Sequence, residues 1–161
     1  MVKDYVEKLY LPAMKLGDDY RKDDFSTSKE YSNWRERMEQ NWSHVHLYTG
    51  EADPRQDNDS LHYNEPFKLN VRAFLGEINP ADVRVQVYLV EDRVNALGNK
   101  PYELVDMSKK KDLGSGNYLY EATIRPSNSG RYHYTVRMIP FHKKHRQLGE
   151  LGLVTWLNGT E

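Results

Sequence analysis

Histidine is the first residue type to test for chemistry, because the chain holds six of them and no cysteine. His142-Lys143-Lys144-His145 places two imidazoles three residues apart, and His44-Val45-His46 places two on one face of an extended segment. Such pairs are donors for a metal ion, but a stable site takes three or four ligands. Neither pair has a carboxylate at ligand spacing, so both read as loop or edge histidines. The absence of cysteine excludes disulfides, zinc–thiolate centres and cysteine nucleophiles together. No segment resembles a nucleophile elbow that would expose a serine to a His–Asp pair. Gly114-Ser115-Gly116 lacks the following helix of a phosphate-binding loop and reads as a hairpin turn. The sequence therefore assigns no catalytic, cofactor-binding or metal residue to this segment.

Charge offers little more. Lys109-Lys110-Lys111 and Lys143-Lys144-His145-Arg146 fall in predicted loops, where short runs of like charge are ordinarily solvated. A formal net charge of -1 gives no overall field that would draw nucleic acid or an acidic membrane. No apolar run approaches the ~18 residues of a membrane-spanning helix, and Met1-Val2-Lys3-Asp4 is no signal peptide. A cysteine-free chain of this kind fits a reducing cytoplasm. The three Asn-x-Ser/Thr triplets at Asn41, Asn58 and Asn158 then read as coincidental.

What remains is the outward face of a predicted sheet: Arg84, Gln86, Tyr88, Arg131, His133 and Arg137. Polar side chains beside an aromatic ring suit carbohydrate, the ring stacking on a sugar and the others bonding hydroxyls. A subunit or domain covering the face, or plain solvation, is equally compatible with the pattern.

The elements that would carry this face can be read from periodicity. Residues 131–138 alternate strictly, with Tyr132, Tyr134, Val136 and Met138 on one side and Arg131, His133, Thr135 and Arg137 on the other. Phe67, Leu69, Val71, Ala73 and Leu75 make another inward stripe, opposite Lys68, Asn70 and Arg72. Val83, Val85, Val87 and Leu89 follow after an Asn79-Pro80-Ala81-Asp82 turn, then Tyr118, Tyr120, Ala122 and Ile124. Shorter strands are expected at 102–107, at 44–48 and at 149–157, six or seven in all. Their spacing argues for an antiparallel sandwich, with a closed barrel as the alternative. The opening Ser129-Gly130-Arg131-Tyr132-His133-Tyr134 resembles the run that begins a late strand in immunoglobulin-type sandwiches. On that resemblance Tyr132 is a corner tyrosine, and Tyr134 stands where a disulfide cysteine would be.

Ahead of the strands lie two predicted helices. Val2, Tyr5, Val6, Leu9, Tyr10 and Ala13 form one apolar stripe, which Pro12 should kink or end. Thr27-Ser28-Lys29-Glu30 reads as a capping box opening a second helix, with Tyr31, Trp34, Met38 and Trp42 along one seam. Trp34 and Trp42 suit packing more than sugar stacking. The polar stretch Glu51–Ser60 reads as a loop. The expectation is a mainly β chain, an immunoglobulin-like antiparallel β-sandwich (44–161) preceded by two α-helices (1–43).

Three segments together resemble the C-terminal end of α-1,4-glucan phosphorylases. They are the stripe from Met1 to Ala13, the run Val71-Arg72-Ala73-Phe74-Leu75-Gly76-Glu77-Ile78-Asn79-Pro80-Ala81-Asp82-Val83, and Ser129-Gly130-Arg131-Tyr132-His133-Tyr134-Thr135-Val136-Arg137 continuing to Pro140 and His142. The resemblance implies a non-catalytic fragment behind a glycosyltransferase core, with Met1 internal to a longer chain. It implies that the parent enzyme phosphorolyses glucan to glucose 1-phosphate with pyridoxal phosphate on a lysine of that core. No cofactor-lysine motif matches here, so no cofactor is expected in this segment. The implied partners are the remainder of the core, α-glucan and further copies of the chain. The alternative is an independent carbohydrate-binding or protein-interaction sandwich.

Overall fold

The computed structural model describes residues 25–50, 66–92, 102–125, 132–143 and 151–157. The chain divides into two compact units, Met1–Gln40 and Asn41–Glu161. The first predicted helix and the Glu51–Ser60 loop lie outside the described residues.

In the first unit the described element is α1, Ser26–Asn41. Its seam follows the predicted spacing: Trp34 and Met38 are buried, and Tyr31 stacks on Trp34 with ring centroids 5.4 Å apart. The opposite side is wet and carries i,i+4 pairs, Arg35 Nε donating to Glu39 Oε1 at 2.8 Å and Gln40 Nε2 to Glu36 Oε1 at 3.1 Å. Two details differ from expectation. The helix begins at Ser26, so Thr27 stands inside the first turn rather than in front of it as a cap. It ends at Asn41, so Trp42 opens a 3-10 turn, Trp42–His44, instead of closing the helical seam.

The second unit is built of eight described strands: β1 (His46–Thr49), β2 (Phe67–Phe74), β3 (Val83–Glu91), β4 (Tyr102–Asp106), β5 (Ser108–Gly114), β6 (Asn117–Ile124), β7 (Tyr132–Pro140) and β8 (Thr155–Trp156). They form two four-stranded sheets ordered β1-β2-β6-β5 and β4-β3-β7-β8. Every neighbouring pair is antiparallel. The alternating stripes set which side is buried. Phe67, Leu69, Val71, Ala73, Tyr120, Ala122 and Ile124 are buried in the first sheet; Val83, Val85, Val87, Leu89, Val136 and Met138 are buried in the second. Tyr132 and Tyr134 are half-buried. A one-residue slip of any of these strands would turn its apolar stripe to water, so burial fixes the register. Phe67 on β2 and Tyr134 on β7 bring rings from the two sheets within 6.2 Å.

The turns follow their chemistry. Asn79 caps the 3-10 turn Pro80–Asp82, its side chain accepting from the Ala81 amide at 2.9 Å, with Pro80 supplying a fixed φ where no amide is needed. Ser115 and Gly116 both have positive φ, 50° and 74°, as a two-residue hairpin between β5 and β6 requires. A Cβ on Gly116 would stand 2.7 Å from the Gly76 carbonyl oxygen, so close approach as well as φ selects glycine there.

Three expectations need correction. Lys109–Lys111 is not in a loop but on β5, an edge strand exposed along its whole length. With no buried side it has no apolar alternation to reveal it, and lysines with register shifts are how edges resist further pairing. His44 sits in the 3-10 turn and His46 in β1, so the two do not share a strand face. The last strand is reduced to Thr155–Trp156 within the described residues 151–157. Among the described residues, no helix is long and apolar enough to cross a membrane.

Candidate functional site

Strand β3 sits inside its sheet, between β4 and β7, and its outward residues become the middle of a four-strand surface. Register places Asp106 and Arg137 on either side of Gln86, and Trp156 beyond Arg137. The next row outward from Gln86 holds Leu104, Tyr88 and Thr135, and the one after it Tyr102, Val90 and His133.

The first row is a bonded chain. Gln86 Nε2 donates to Asp106 Oδ1 at 2.7 Å, and Arg137 Nε and Nη2 both donate to Gln86 Oε1, at 3.1 and 3.0 Å. Arg84 adds to it, its Nε lying 3.8 Å from Asp106 Oδ2 and its guanidinium 4.3 Å from the centre of the Phe141 ring. Asp106 and Arg137 thus meet through a single amide while Arg84 faces Asp106 directly, and the side chains are held in place before anything binds.

The aromatic part surrounds Tyr88. Its ring stacks on Tyr102 at 5.2 Å and 18°, and meets Trp156 edge-on at 6.0 Å and 90°. Arg137 lies 5.9 Å from the same ring. Tyr88 is half-buried between these neighbours, whereas Tyr102 and Trp156 remain 63% and 41% exposed. Large rings left this open beside fixed hydrogen-bonding groups have the composition of a recognition surface.

Of the six outward residues predicted, Arg84, Gln86, Tyr88 and Arg137 come together here. Gln86 corrects the expectation of a wet side chain: it points outward but is only 4% exposed, because Asp106 and Arg137 close over it. His133 is exposed at the far end of the sheet, its Nε2 3.9 Å from Asp92 Oδ1. Arg131 lies outside the described residues. Sequence reasoning missed Tyr102, Asp106 and Trp156. The signal for the first two was the alternation Tyr102-x-Leu104-x-Asp106; for Trp156 there was none, since its two-residue strand has no period.

The first sheet carries an open hollow of about 510 Å³, lined by His46, Tyr48, Arg72, Phe74, Leu113 and Asn117. Arg72 lies 5.1 Å from the Tyr48 ring centre there. The lysines of β5 turn to neighbours in their own sheet, Lys109 over Tyr118 at 5.4 Å and Lys110 to Glu121 at 3.3 Å. Among the described residues no cluster of three or more His, Asp or Glu could hold a metal ion. His142 is buried, and His145 lies outside the described residues. Deeper in the first sheet, burial pushes the Tyr120 phenol up from its usual 10.0 to about 12, with Tyr118 adding a smaller push.

Comparison with known proteins agrees with the resemblance read from the three sequence segments. The family model described as glycogen phosphorylase C-terminal domain matches residues 42–158. The chain is 24% identical over 159 residues to the maltodextrin phosphorylase of Thermococcus litoralis, covering 97% of this chain and 18% of that protein. It is 31% identical over 157 residues to the glycogen phosphorylase of Mycobacterium tuberculosis, covering 96% of this chain and 18% of that protein. The chain thus spans about 18% of the length of the curated relatives it matches.

Proposed function

The chain belongs to the glycogen phosphorylase C-terminal domain family, and from that premise we propose that it is the non-catalytic C-terminal part of an α-glucan phosphorylase. The parent enzyme, on this reading, cleaves α-1,4-glucan with phosphate to glucose 1-phosphate in the cytoplasm. The observation that carries it is one of coverage: nearly the whole chain aligns, but to only 18% of each relative. The chemistry then belongs to the remaining length. Pyridoxal phosphate on a core lysine supplies the acid–base phosphate of that chemistry. The described lysines here do not fit such a role, because Lys29, Lys68, Lys109, Lys110, Lys111 and Lys143 are all exposed.

The architecture we propose for residues 44–161 is an immunoglobulin-like sandwich. Strand order supports it. Read as A to G with an added C′, the sheets β1-β2-β6-β5 and β4-β3-β7-β8 correspond to A-B-E-D and C′-C-F-G. The Phe67–Tyr134 contact then joins strands B and F, the pair that a disulfide joins in antibody domains. The sandwich would serve the parent enzyme by packing on its core, by assembling copies, or by holding glucan near it. Assay of glycogen phosphorolysis, with the chain alone and with added pyridoxal phosphate, tests the non-catalytic assignment. No glucose 1-phosphate is expected, and measurable turnover would contradict it.

A further inference from the structure

We propose that β4 is a pairing edge, along which two copies of this chain join antiparallel into one continuous sheet. Leu104 of each copy then faces Leu104 of the other across a twofold axis. This gives a form to the assembly role of the phosphorylase reading and rests on that reading for its setting in the parent enzyme; the strand chemistry is the chain's own.

The sheet edges are built differently. β5, an edge of the first sheet, carries three lysines and two register shifts, devices that discourage a further strand. β8, the edge opposite β4, is two residues long. β4 has no such guard. Among the described residues no strand lies on its outer side, its five residues keep an unbroken register with β3, and none of them is a lysine or a proline. Two large apolar side chains on it stay open, Tyr102 at 63% and Leu104 at 36% exposure.

The backbone sets the register of a second copy. Met107 N donates to Val85 O at 2.9 Å, which makes Val85 and Met107 a hydrogen-bonded pair of the antiparallel ladder. Alternation then turns the backbone groups of Glu103 and Val105 toward β3 and those of Tyr102, Leu104 and Asp106 toward the open edge. An axis on Leu104 uses all three. Tyr102 meets Asp106 of the other copy, Leu104 meets Leu104, and Asp106 meets Tyr102, with two hydrogen bonds exchanged at each pair.

The side chains accept the same register. Leu104 faces Leu104, Glu103 faces Val105, and Tyr102 faces Asp106, whose carboxylate Gln86 and Arg84 already engage. An axis on Glu103 or Asp106 would set a carboxylate against its own copy. An axis on Val105 would leave Tyr102 opposite Ser108, which belongs to the other sheet. The axis on Leu104 also sends Arg84 and Arg137 of the two copies to opposite ends, so the positive charge of the outer face does not confront itself. Five residues a side bury little area, which makes this a weak, concentration-dependent pair.

Sedimentation velocity of the full chain, at concentrations rising to about 1 mM, tests the edge. The average mass should climb toward twice that of one chain. Leu104→Lys places two ammonium groups on the axis and should sediment as a single chain over the same range, as should Leu104→Glu. An equimolar mixture of the two variants should pair again, because opposite charges then face each other. Tyr102→Asp serves if the Leu104 variants unfold, since that ring is the more exposed and its replacement sets a second carboxylate against Asp106 of the other copy. Leu113→Lys, on the guarded edge of the first sheet, should pair as the wild type does. A wild-type chain that stays single, a folded Leu104→Lys or Tyr102→Asp variant that pairs, a mixture that stays single, or a folded Leu113→Lys variant that does not pair would overturn the proposal. Each of those outcomes leaves the non-catalytic assignment standing, whereas phosphorolysis by the chain alone would overturn that assignment whatever the sedimentation shows.

Discussion

Gln86 in the second sheet and Tyr120 in the first are almost equally buried, at 4% and 3% exposure, yet their polar atoms meet opposite surroundings. The Gln86 amide takes part in three hydrogen bonds, one given to Asp106 and two accepted from Arg137. Among the described residues the Tyr120 hydroxyl has no hydrogen-bond partner. The first arrangement turns burial into rigidity on the outer face; the second leaves a desolvated hydroxyl in the core, whose cost shows in the raised phenol pKa. Polar burial therefore organises one sheet for contact and merely burdens the other.

Four variants sharpen or break this contrast. The largest effect is expected at Gln86. Gln86→Ala strands Asp106 and Arg137 in a part-buried row and should lower stability by about 2 kcal/mol, read from the urea midpoint. Arg72→Ala, the outward residue of the first sheet, should change it by no more than about 0.5 kcal/mol. Equal costs would remove the distinction between the two faces.

Tyr120→Phe comes next and has the opposite sign. Deleting an unbonded buried hydroxyl should leave stability unchanged or raise it by up to about 1 kcal/mol. The pH dependence follows from the raised pKa. The folded state holds the Tyr120 proton more tightly than the unfolded chain, so its contribution is complete below pH 10 and is lost as pH climbs toward 12. Urea midpoints at pH 9 and pH 11 should therefore diverge more in the wild type than in Tyr120→Phe. A parallel alkaline loss in both would show that the phenol is not desolvated.

The smallest effect belongs to β5. Lys109→Ala, Lys110→Ala and Lys111→Ala together should shift stability by only about 0.5 kcal/mol, since these side chains are exposed. The consequence should instead be association through the uncovered edge, visible as a concentration-dependent rise in light scattering. A triple variant that scatters no more than the wild type would mean that the lysines do not guard the edge.

These contrasts also mark what the sequence could disclose. Buried stripes such as Phe67–Leu75 and Val83–Leu89 were legible because period-2 alternation is the direct imprint of one wet and one dry side. β5 was not, because a wholly exposed edge strand leaves no alternation. At Gln86 the alternation gave the direction but not the burial, which depends on Asp106, 20 residues away, and Arg137, 51 residues away. The Tyr102–Tyr88–Trp156 cluster is further from reach still. It exists only because strands third, fourth, seventh and eighth in the chain lie in the order β4-β3-β7-β8, a pairing no local window encodes.

The central claim, that the chemistry belongs to the rest of the parent enzyme, is the one most directly measurable. Glycogen, phosphate and pyridoxal phosphate incubated with the chain alone should yield no glucose 1-phosphate. Glucose 1-phosphate formed by the chain alone would contradict the account.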